Sequence, residues 1–464
     1  MFFFESNSLG DRRLNKRLSL LFHHMITHQS AIVNKFCKKH KEKMGAYRFL
    51  NNPDVTSEAI LSSLTGLCRD NLSDKSHVLC IQDTTEINYE GHVKRIKKNT
   101  SLAGVVNQKQ CGIFLHPLLV IDAQSRTPLG FSHVKLWNRC PHAPNREERN
   151  YKRQPIEEKE SYRWIESSVK GSEHVDKSVV MTVVADREAD IFELFSRVPQ
   201  ENVHLLIRST YERLCQLNNG ADPLRLGELM ERSLKRGEYE FEVRHGSGRQ
   251  KRMAQMELRF EKVTLRAPVN SPGASKDTVC LYCIYVKEKA SSVPPSEQPI
   301  EWRLLTTHTV ETVQQAMECV EWYRCRWYIE ELFRVLKRKG FMVEDAQLET
   351  TSALEKLLLI SLQAALQIMI LKLSFDKQDE KLSARLCFTE KEIVLLHILT
   401  KHENGSTKIQ QNPYRPESMA WAAWTIARMG AWSGYRSQSI PGYITLKNGL
   451  ERFNTQFELY EYME

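Results

Sequence analysis

The sequence predicts an α/β protein with helical segments at both ends of the chain. Two short apolar runs, residues 78–85 and 179–185, are typical of buried parallel strands. The first contains Asp83 near its end, and the second is followed directly by Asp186. Between about 210 and 310 the pattern changes to alternating polar and apolar positions. We therefore expect a central α/β core that carries a β-rich insertion.

Residues 1–65 are predicted to form a helical N-terminal domain, because leucines recur there at helical spacing. The chain has a net charge of +9, and residues 1–50 contain ten Lys or Arg but only three Asp or Glu. Such a basic end favours a polyanion, DNA or RNA before a membrane, although a merely solvated basic face is the alternative. The candidate contacts are basic or aromatic: Arg12, Arg13, Arg17, Lys43, Tyr47 and Arg48.

Each of the two buried strands is predicted to place an acid at its carboxyl end. Open α/β sheets keep their sites at this edge, but strands also end in Asp for turn chemistry. Asp186 begins the string Asp-Arg-Glu-Ala-Asp, so Glu188 and Asp190 are nearby rivals. We interpret these two as capping or supporting groups on the following helix.

A third acid lies in the segment Tyr323–Lys337, which we predict to be one helix. At 100° per residue, Tyr323, Arg326, Glu330 and Lys337 fall within an arc of about 60°, and Arg334 lies at its edge. An acid inside a basic row suits a metal-binding carboxylate beside a phosphate backbone. A solvated amphipathic helix is the alternative.

The remaining segments complete the prediction. Strands are expected at 112–121, 129–136, 204–208, 239–243, 256–265 and 279–286, and again from Trp302, with a helix at 157–169. Helices are expected at 353–375, 390–401, 419–429 and 441–463. The apolar run 357–371 has only 15 residues and indicates a buried helix, not a membrane span. The last helix carries an apolar stripe that would serve docking or dimerisation.

Composition narrows the function further. The 11 cysteines are irregularly spaced, and the single CxxC at Cys280 and Cys283 has no second pair, so a zinc site is not expected. No Gly-rich phosphate loop of the Walker type occurs, so no nucleotide cofactor is expected. The apolar start is too short for a signal peptide. We expect a cytoplasmic protein with reduced thiols.

Several motifs together resemble the Tn-five branch of bacterial DDE insertion-sequence transposases. Tyr323, Arg326, Glu330 and Lys337 match its Tyr-Arg-Glu-Lys signature at every spacing. The Asp-Arg-Glu-Ala-Asp string is similar to the family's second catalytic segment, and Gly-Ala-Tyr-Arg-Phe at 45–49 is similar to its end-recognition domain. The resemblance implies an RNase H-like core of the retroviral-integrase type at 66–375, an end-binding domain at 1–65 and a dimerisation domain at 376–464.

The resemblance also implies cut-and-paste transposition of double-stranded DNA with two Mg²⁺ or Mn²⁺ ions. Asp83 would bind both ions, and Asp186 and Glu330 would bind one each. The remaining predicted contacts to DNA are Tyr323, Arg326, Lys337, Arg334 and Arg208, together with Trp302, which would stack on a base flipped out of the DNA end.

A core tryptophan is the alternative for Trp302. The protein would act as a homodimer in a synaptic complex. The rival functions are a metal-dependent nuclease of the same fold that never joins strands, and a non-catalytic DNA-binding regulator.

Overall fold

The computed structural model describes residues 9–92, 111–139, 154–217, 222–243, 249–268, 278–337, 340–378, 380–435, 438 and 440–463. The sequence also predicts a basic loop at Lys94, Arg95, Lys97 and Lys98 and a basic tip at Arg244 in the β-rich insertion. These residues lie outside the described ranges.

Helices and strands follow one another along the described chain. The helices are α1 Arg12–His28, α2 Val33–Phe36, α3 His40–Leu50, α4 Ser57–Asp70, α5 Tyr162–Ser172, α6 Phe192–Arg197, α7 Leu226–Arg232, α8 Val313–Arg324, α9 Trp327–Lys337, α10 Thr351–Lys377, α11 Glu390–Glu403, α12 Met419–Met429 and α13 Tyr443–Met463. The strands are β1 His77–Gln82, β2 Thr85–Asn88, β3 Gly112–Asp122, β4 Pro128–Trp137, β5 Val180–Ala185, β6 Val203–Ser209, β7 Leu214–Leu217, β8 Leu224–Arg225, β9 Gly237–Val243, β10 Arg252–Arg266, β11 Thr278–Glu288 and β12 Glu301–Thr306.

The predicted α/β class is confirmed, and every predicted strand is present. The predicted helix at 157–169 begins later, as α5, after a 3-10 turn at Ile156–Glu158. Sequence patterning missed α7, which interrupts the β-rich insertion. This helix is only seven residues long, too short for its periodicity to stand out from the flanking strands.

The chain forms two compact units. The sheet unit comprises the described residues of Lys75–Asp83 and Pro144–Trp327. Its strands follow the order β1-β5-β6-β12-β11-β10-β7-β8, and β9 pairs with the first half of β10. The pairs β1–β5 and β5–β6 are parallel, whereas β6–β12 and the pairs of the insertion are antiparallel. This is a mixed sheet in which a parallel part continues into the β-rich insertion.

The helical unit comprises the described residues of Met1–Asp74, Thr84–Ala143 and Tyr328–Glu464. Helix α10 lies at its centre and packs against α1, α3, α4, α12 and α13, while β2, β3 and β4 form antiparallel pairs. An 18-residue window of α10 reaches a mean hydropathy of 1.8, enough by composition for a membrane span, yet 89% of that window is buried inside the protein. The apolar character of α10 is therefore accounted for by the core.

The apolar stripe of α13 docks within the same unit. Leu446, Leu450, Phe453 and Phe457 are all buried, and α13 packs most extensively on α12. A Cβ atom on Gly449 would lie 1.8 Å from the Ile426 carbonyl oxygen, so only glycine allows this approach. Of the two roles predicted for the stripe, docking is the one that these four side chains perform.

Candidate active site

Two of the predicted acids follow neighbouring parallel strands in the same register. The strands β1 and β5 pair from His77 with Val180 through Ile81 with Val184. Continuing that register by two residues pairs Asp83 with Asp186. Neighbouring strands lie about 4.8 Å apart, so the two aspartates leave the carboxyl edge of the sheet side by side. This is the edge at which open α/β sheets carry their sites.

The local sequence explains why these acids emerge there. After their first residues, β1 and β5 are buried throughout, as expected of parallel strands covered on both faces. Asp186 then caps the 3-10 turn Arg187–Ala189, and its Oδ1 accepts a hydrogen bond from the Glu188 backbone N–H at 2.9 Å. The apolar run thus ends where a polar side chain can both turn the chain and remain partly accessible.

An arginine is bound to the first aspartate. The Arg326 guanidinium donates to Asp83 Oδ2 at 3.2 Å, and both side chains are partly exposed. The predicted single helix from Tyr323 to Lys337 is wrong, because α8 ends at Arg324 and α9 begins at Trp327. Between them the N–H groups of Cys325 and Arg326 donate to the carbonyls three residues earlier, at 3.0 Å each. This tight turn breaks the 100° progression on which the predicted arc rested.

Tyr323 lies among the charged groups of the same unit. It is only 5% exposed, and burial raises the pKa of its phenol above the ordinary value. Arg326, Arg208 and Asp186 act electrostatically on this phenol, so these three predicted residues lie within electrostatic range of Tyr323. Arg208, on β6, also donates a hydrogen bond to the Glu301 carbonyl at 3.2 Å.

The predicted stacking residue, Trp302, contacts Tyr323. Its ring centroid lies 5.4 Å from that of Tyr323 and 5.5 Å from that of Phe241, with steeply tilted ring planes in both pairs. Trp302 is half-buried, so it is not a fully enclosed core residue. Sequence analysis placed Phe241 on a strand but missed its contact with Trp302.

The remaining predicted residues of the signature lie on α9. Glu330 is in the first turn of α9, where the helix dipole favours a carboxylate. Its neighbour Glu331 forms an ion pair with Arg334. Lys337 donates to the Glu86 carbonyl, and its Nζ lies 3.5 Å from Glu344 Oε1. These partners belong to the helical unit.

The six N-terminal candidates lie on α1 and α3. Arg12, Arg13 and Arg48 are exposed, whereas Arg17, Lys43 and Tyr47 are half-buried. Arg13 pairs with Asp11 at 3.0 Å. The Arg17 guanidinium lies directly against Gly45, where an added Cβ would be 2.8 Å from its Cζ. The glycine of the Gly-Ala-Tyr-Arg-Phe segment therefore makes room for a basic side chain of α1.

Two acids close to Asp186 have structural partners. Glu188 pairs with Arg163 at 2.8 Å. The Asp190 carboxylate is fully buried and accepts hydrogen bonds from Ser209 Oγ, at 2.9 Å, and from Arg213 Nη2, at 2.7 Å. Sequence analysis missed Arg213, because nothing in the local pattern links it to an acid 23 residues earlier.

A histidine cluster lies near the amino ends of the parallel strands. The Thr182 hydroxyl bridges His77 Nε2, at 2.8 Å, and His308 Nε2, at 2.6 Å. His204 stacks on His308 with ring centroids 4.0 Å apart, and Trp322 packs against His77 and His308. One hydroxyl has a single proton to donate, so one imidazole must accept and the other donate. The imidazole that accepts the Thr182 proton must therefore be neutral.

We expect acid to destabilise the sheet unit through His308. Burial, and then electrostatic repulsion from His204 and His77, lower the pKa of His308 from 6.5 to about 3. A lowered histidine pKa means that the stabilisation is complete above pH 6.5 and is lost as the pH falls toward 3. Between pH 7.5 and 4.5 the loss should be about 2–3 kcal/mol, measurable by chemical denaturation.

The His308→Gln variant should lose less stability over the same pH interval than the unsubstituted protein. His402→Gln is the matched control, because the His402 side chain is largely exposed. An unchanged pH dependence in His308→Gln would contradict the assignment.

The two candidate aspartates have the donor chemistry of a site for a hard divalent ion. Carboxylate oxygens are the ligands that Mg²⁺ and Mn²⁺ prefer, and Asp83 and Asp186 supply them from adjacent strand ends. Within the described parts of the chain, no three His, Cys, Asp or Glu side chains form a ready-made metal cluster. The two aspartates nevertheless fit a hard divalent cation in donor type.

Two family models match the chain. Residues 3–55 match the family model described as Transposase DNA-binding, which includes α1 to α3. Residues 76–366 match the model described as Transposase DDE domain, which spans more than half of the chain and all of the sheet unit's strands. The chain therefore belongs to the DDE transposase family and is a DNA transposase with a transposase DNA-binding domain ahead of its DDE domain.

Proposed function

We propose that this transposase moves its element by cut-and-paste transposition, in the manner of the Tn-five branch. The observation that supports the proposal is the parallel register of β1 and β5, which, when extended by two residues, sets Asp83 opposite Asp186. Arg326 pairs with Asp83, and Tyr323 is within electrostatic range of Arg326, Arg208 and Asp186, which suits groups that hold a DNA backbone. The same arrangement supports an RNase H-like core of the retroviral-integrase type.

Asp83, Asp186 and Glu330 are the proposed ligands of two Mg²⁺ or Mn²⁺ ions. DDE transposase domains use divalent metal ions, and carboxylates are suitable ligands for them. Two such ions activate the attacking oxygen and stabilise the leaving oxygen of a phosphodiester. Asp83 would contact both ions, and Asp186 and Glu330 one each.

Arg326 has two roles in this proposal. In the protein alone its guanidinium neutralises Asp83 at 3.2 Å. With metal and DNA bound, the same guanidinium would donate to a phosphate, because the metal would then balance the aspartate charge. Tyr323 and Arg208 would contact the same stretch of backbone, and Arg334 and Lys337 would contact phosphates from α9.

The basic surface of the N-terminal segment would bind the element's ends. Arg12, Arg13 and Arg48 are exposed, as phosphate contacts require, and Arg17 is held beside α3 by its fit over Gly45. The half-buried Lys43 and Tyr47 on α3 complete the proposed contacts.

The proposed reaction has four steps. A water molecule attacks a phosphodiester at the element's end and frees a 3′-hydroxyl. That hydroxyl attacks the opposite strand, forming a hairpin and releasing the flanking DNA. A second water reopens the hairpin, and the restored 3′-hydroxyl attacks a target phosphodiester, displacing a target 3′-hydroxyl. The two steps with water break one phosphoester bond by hydrolysis. In the other two steps a 3′-hydroxyl forms a new phosphoester bond while an existing one breaks.

A homodimer is proposed for the synaptic complex. The buried stripe of α13 is used within its own unit, so it does not supply the contact. The end of the same helix exposes Leu459, Tyr462 and Met463, which would otherwise remain as an apolar patch in water. These three side chains are the proposed dimer contacts.

The test uses DNA that carries the element's own flanking ends, incubated with the protein and Mg²⁺. We expect nicked, hairpin and fully released products, and joined products when pre-cleaved ends meet a target duplex. Cleavage without joining would instead indicate a nuclease. Metal-independent binding of the ends without any cleavage would indicate a DNA-binding regulator.

A further inference from the structure

Three aromatic rings and one guanidinium form a continuous row in the sheet unit. Phe241 meets Trp302 at a ring-centroid distance of 5.5 Å and an interplanar angle of 88°. Trp302 meets Tyr323 at 5.4 Å and 67°. The Arg324 guanidinium carbon lies 4.8 Å from the centre of the Phe241 ring. We call this set the aromatic row.

The aromatic row joins the β-rich insertion to the candidate site. Phe241 lies on β9, Trp302 on β12, and Tyr323 and Arg324 at the end of α8. Tyr323 is the member that lies among Arg326, Arg208 and Asp186. The contacts therefore connect a strand of the insertion, through one indole, to the residues around the acids.

The exposure of these side chains differs from that of a closed core. Tyr323 is buried, whereas Phe241 and Trp302 are only half-buried. Arg324 is held over Phe241 while it also pairs with Glu321 at 2.6 Å. A cation over an aromatic face is attractive, and steeply tilted aromatic pairs are favourable arrangements. Because Trp302 contacts both Phe241 and Tyr323, rotation of its indole is restricted.

We propose that Phe241 is a positioning residue that sets the plane of Trp302 for stacking on an extruded DNA base. This inference rests on the proposed function, which assigns the stacking role to Trp302. Arg324 also contacts the Phe241 ring and helps to hold it, so the orientation of the indole is set before DNA binds. A base that leaves the duplex loses its stacking, and a pre-oriented aromatic surface recovers part of that loss.

The test separates the two strand cleavages. Phe241→Leu keeps an apolar side chain but removes the ring, so we expect nicking within about twofold of the unsubstituted protein. Hairpin formation from a pre-nicked end should fall about fivefold, the scale of one lost aromatic pair. Stacking of the extruded base is measured with ends that carry 2-aminopurine at one terminal position at a time. At one of these positions, the fluorescence should show less stacking with Phe241→Leu than with the unsubstituted protein. Phe241→Tyr keeps the ring, so its hairpin formation and base stacking should match those of the unsubstituted protein.

Phe260→Leu is the matched control. Phe260 also lies on a strand of the insertion beneath an arginine, with the Arg236 guanidinium carbon 5.4 Å from its ring centre. Its replacement should leave hairpin formation unchanged. Should Phe241→Leu fail to fold, Arg324→Gln takes its place, because Arg324 lies toward solvent. That variant should reduce hairpin formation about twofold to threefold and leave nicking unchanged.

The outcomes distinguish this inference from the proposed function. If Trp302→Ala loses hairpin formation but Phe241→Leu does not, the positioning role of Phe241 is wrong and the role of Trp302 stands. Equal losses of nicking and hairpin formation in Phe241→Leu would show a structural role only, which also overturns the inference. If Trp302→Ala forms hairpins normally, the stacking role itself fails.

Discussion

The Asp83→Asn variant should bind the element's ends normally but lose Mg²⁺-dependent cleavage by about 10³-fold or more. An amide is a weaker ligand than a carboxylate and does not balance the charge of a divalent ion. Three orders of magnitude correspond to about 4 kcal/mol of lost transition-state stabilisation. End binding should survive because residues 3–55, which match the transposase DNA-binding model, do not include Asp83.

The same result is expected for Asp186→Asn and Glu330→Gln. End binding is measured by gel shift without metal, and cleavage by mapping the products at saturating protein. Full Mg²⁺-dependent cleavage by any one of the three variants would remove that residue from the site.

Glu331→Gln is the sharpest control for the third acid. Glu331 is adjacent to Glu330 but is paired with Arg334. We expect Glu331→Gln to cleave within a few-fold of the unsubstituted protein, while Glu330→Gln does not. A reversed result would identify Glu331 as the acid that acts.

Arg326→Gln separates charge balance at Asp83 from metal binding. If the guanidinium serves mainly to hold DNA, the variant should retain metal-dependent cleavage at a reduced rate. Loss of one charge-assisted contact to phosphate costs roughly 1.5–3 kcal/mol, about tenfold to a hundredfold. Loss as complete as that in Asp83→Asn would contradict the assignment of separate roles.

Local patterns predicted most of the described strands, but not β2, β7 and β8 and not the connection that leads to the third acid. Runs of apolar residues with an acid at the end predicted β1 and β5, because burial on both faces leaves a continuous signal. The break between α8 and α9 gave no such signal. Cys325 and Arg326 make a tight turn without Gly or Pro, and the amphipathic spacing continues across it.

Contacts between residues that are far apart in the sequence could not be predicted from local patterns either. The apolar stripe of α13 was visible, yet periodicity does not distinguish docking on α12 from contact with a second copy. The pairing of Asp83 with Arg326 spans 243 positions. Such pairs depend on how strands and helices assemble, which a single sequence shows only through a resemblance.

The Asp190→Asn variant should destabilise the sheet unit by about 3–5 kcal/mol, the usual cost of breaking one side of a buried ion pair. The Asp190 carboxylate is fully buried and binds Arg213 through both Nε, at 3.1 Å, and Nη2, at 2.7 Å. It also accepts from Ser209 Oγ at 2.9 Å and from the Thr210 N–H at 3.1 Å. An amide would leave the Arg213 charge without its counterion. The free energy of unfolding from chemical denaturation measures this loss.

Variants of the three acids in the Asp-Arg-Glu-Ala-Asp string should separate three different roles. Asp186→Asn should remove cleavage with little change in stability, and Asp190→Asn should lower stability in the absence of DNA or metal. Glu188→Gln should do neither to a large extent, because its ion pair with Arg163 is partly exposed and such pairs contribute about 0–1 kcal/mol. An Asp190→Asn protein that unfolds like the unsubstituted chain but cannot cleave would instead assign the second metal-binding acid to Asp190. Stability and cleavage must therefore be measured on the same preparations, since only their separation distinguishes an acid that binds metal from one that holds the strand end in place.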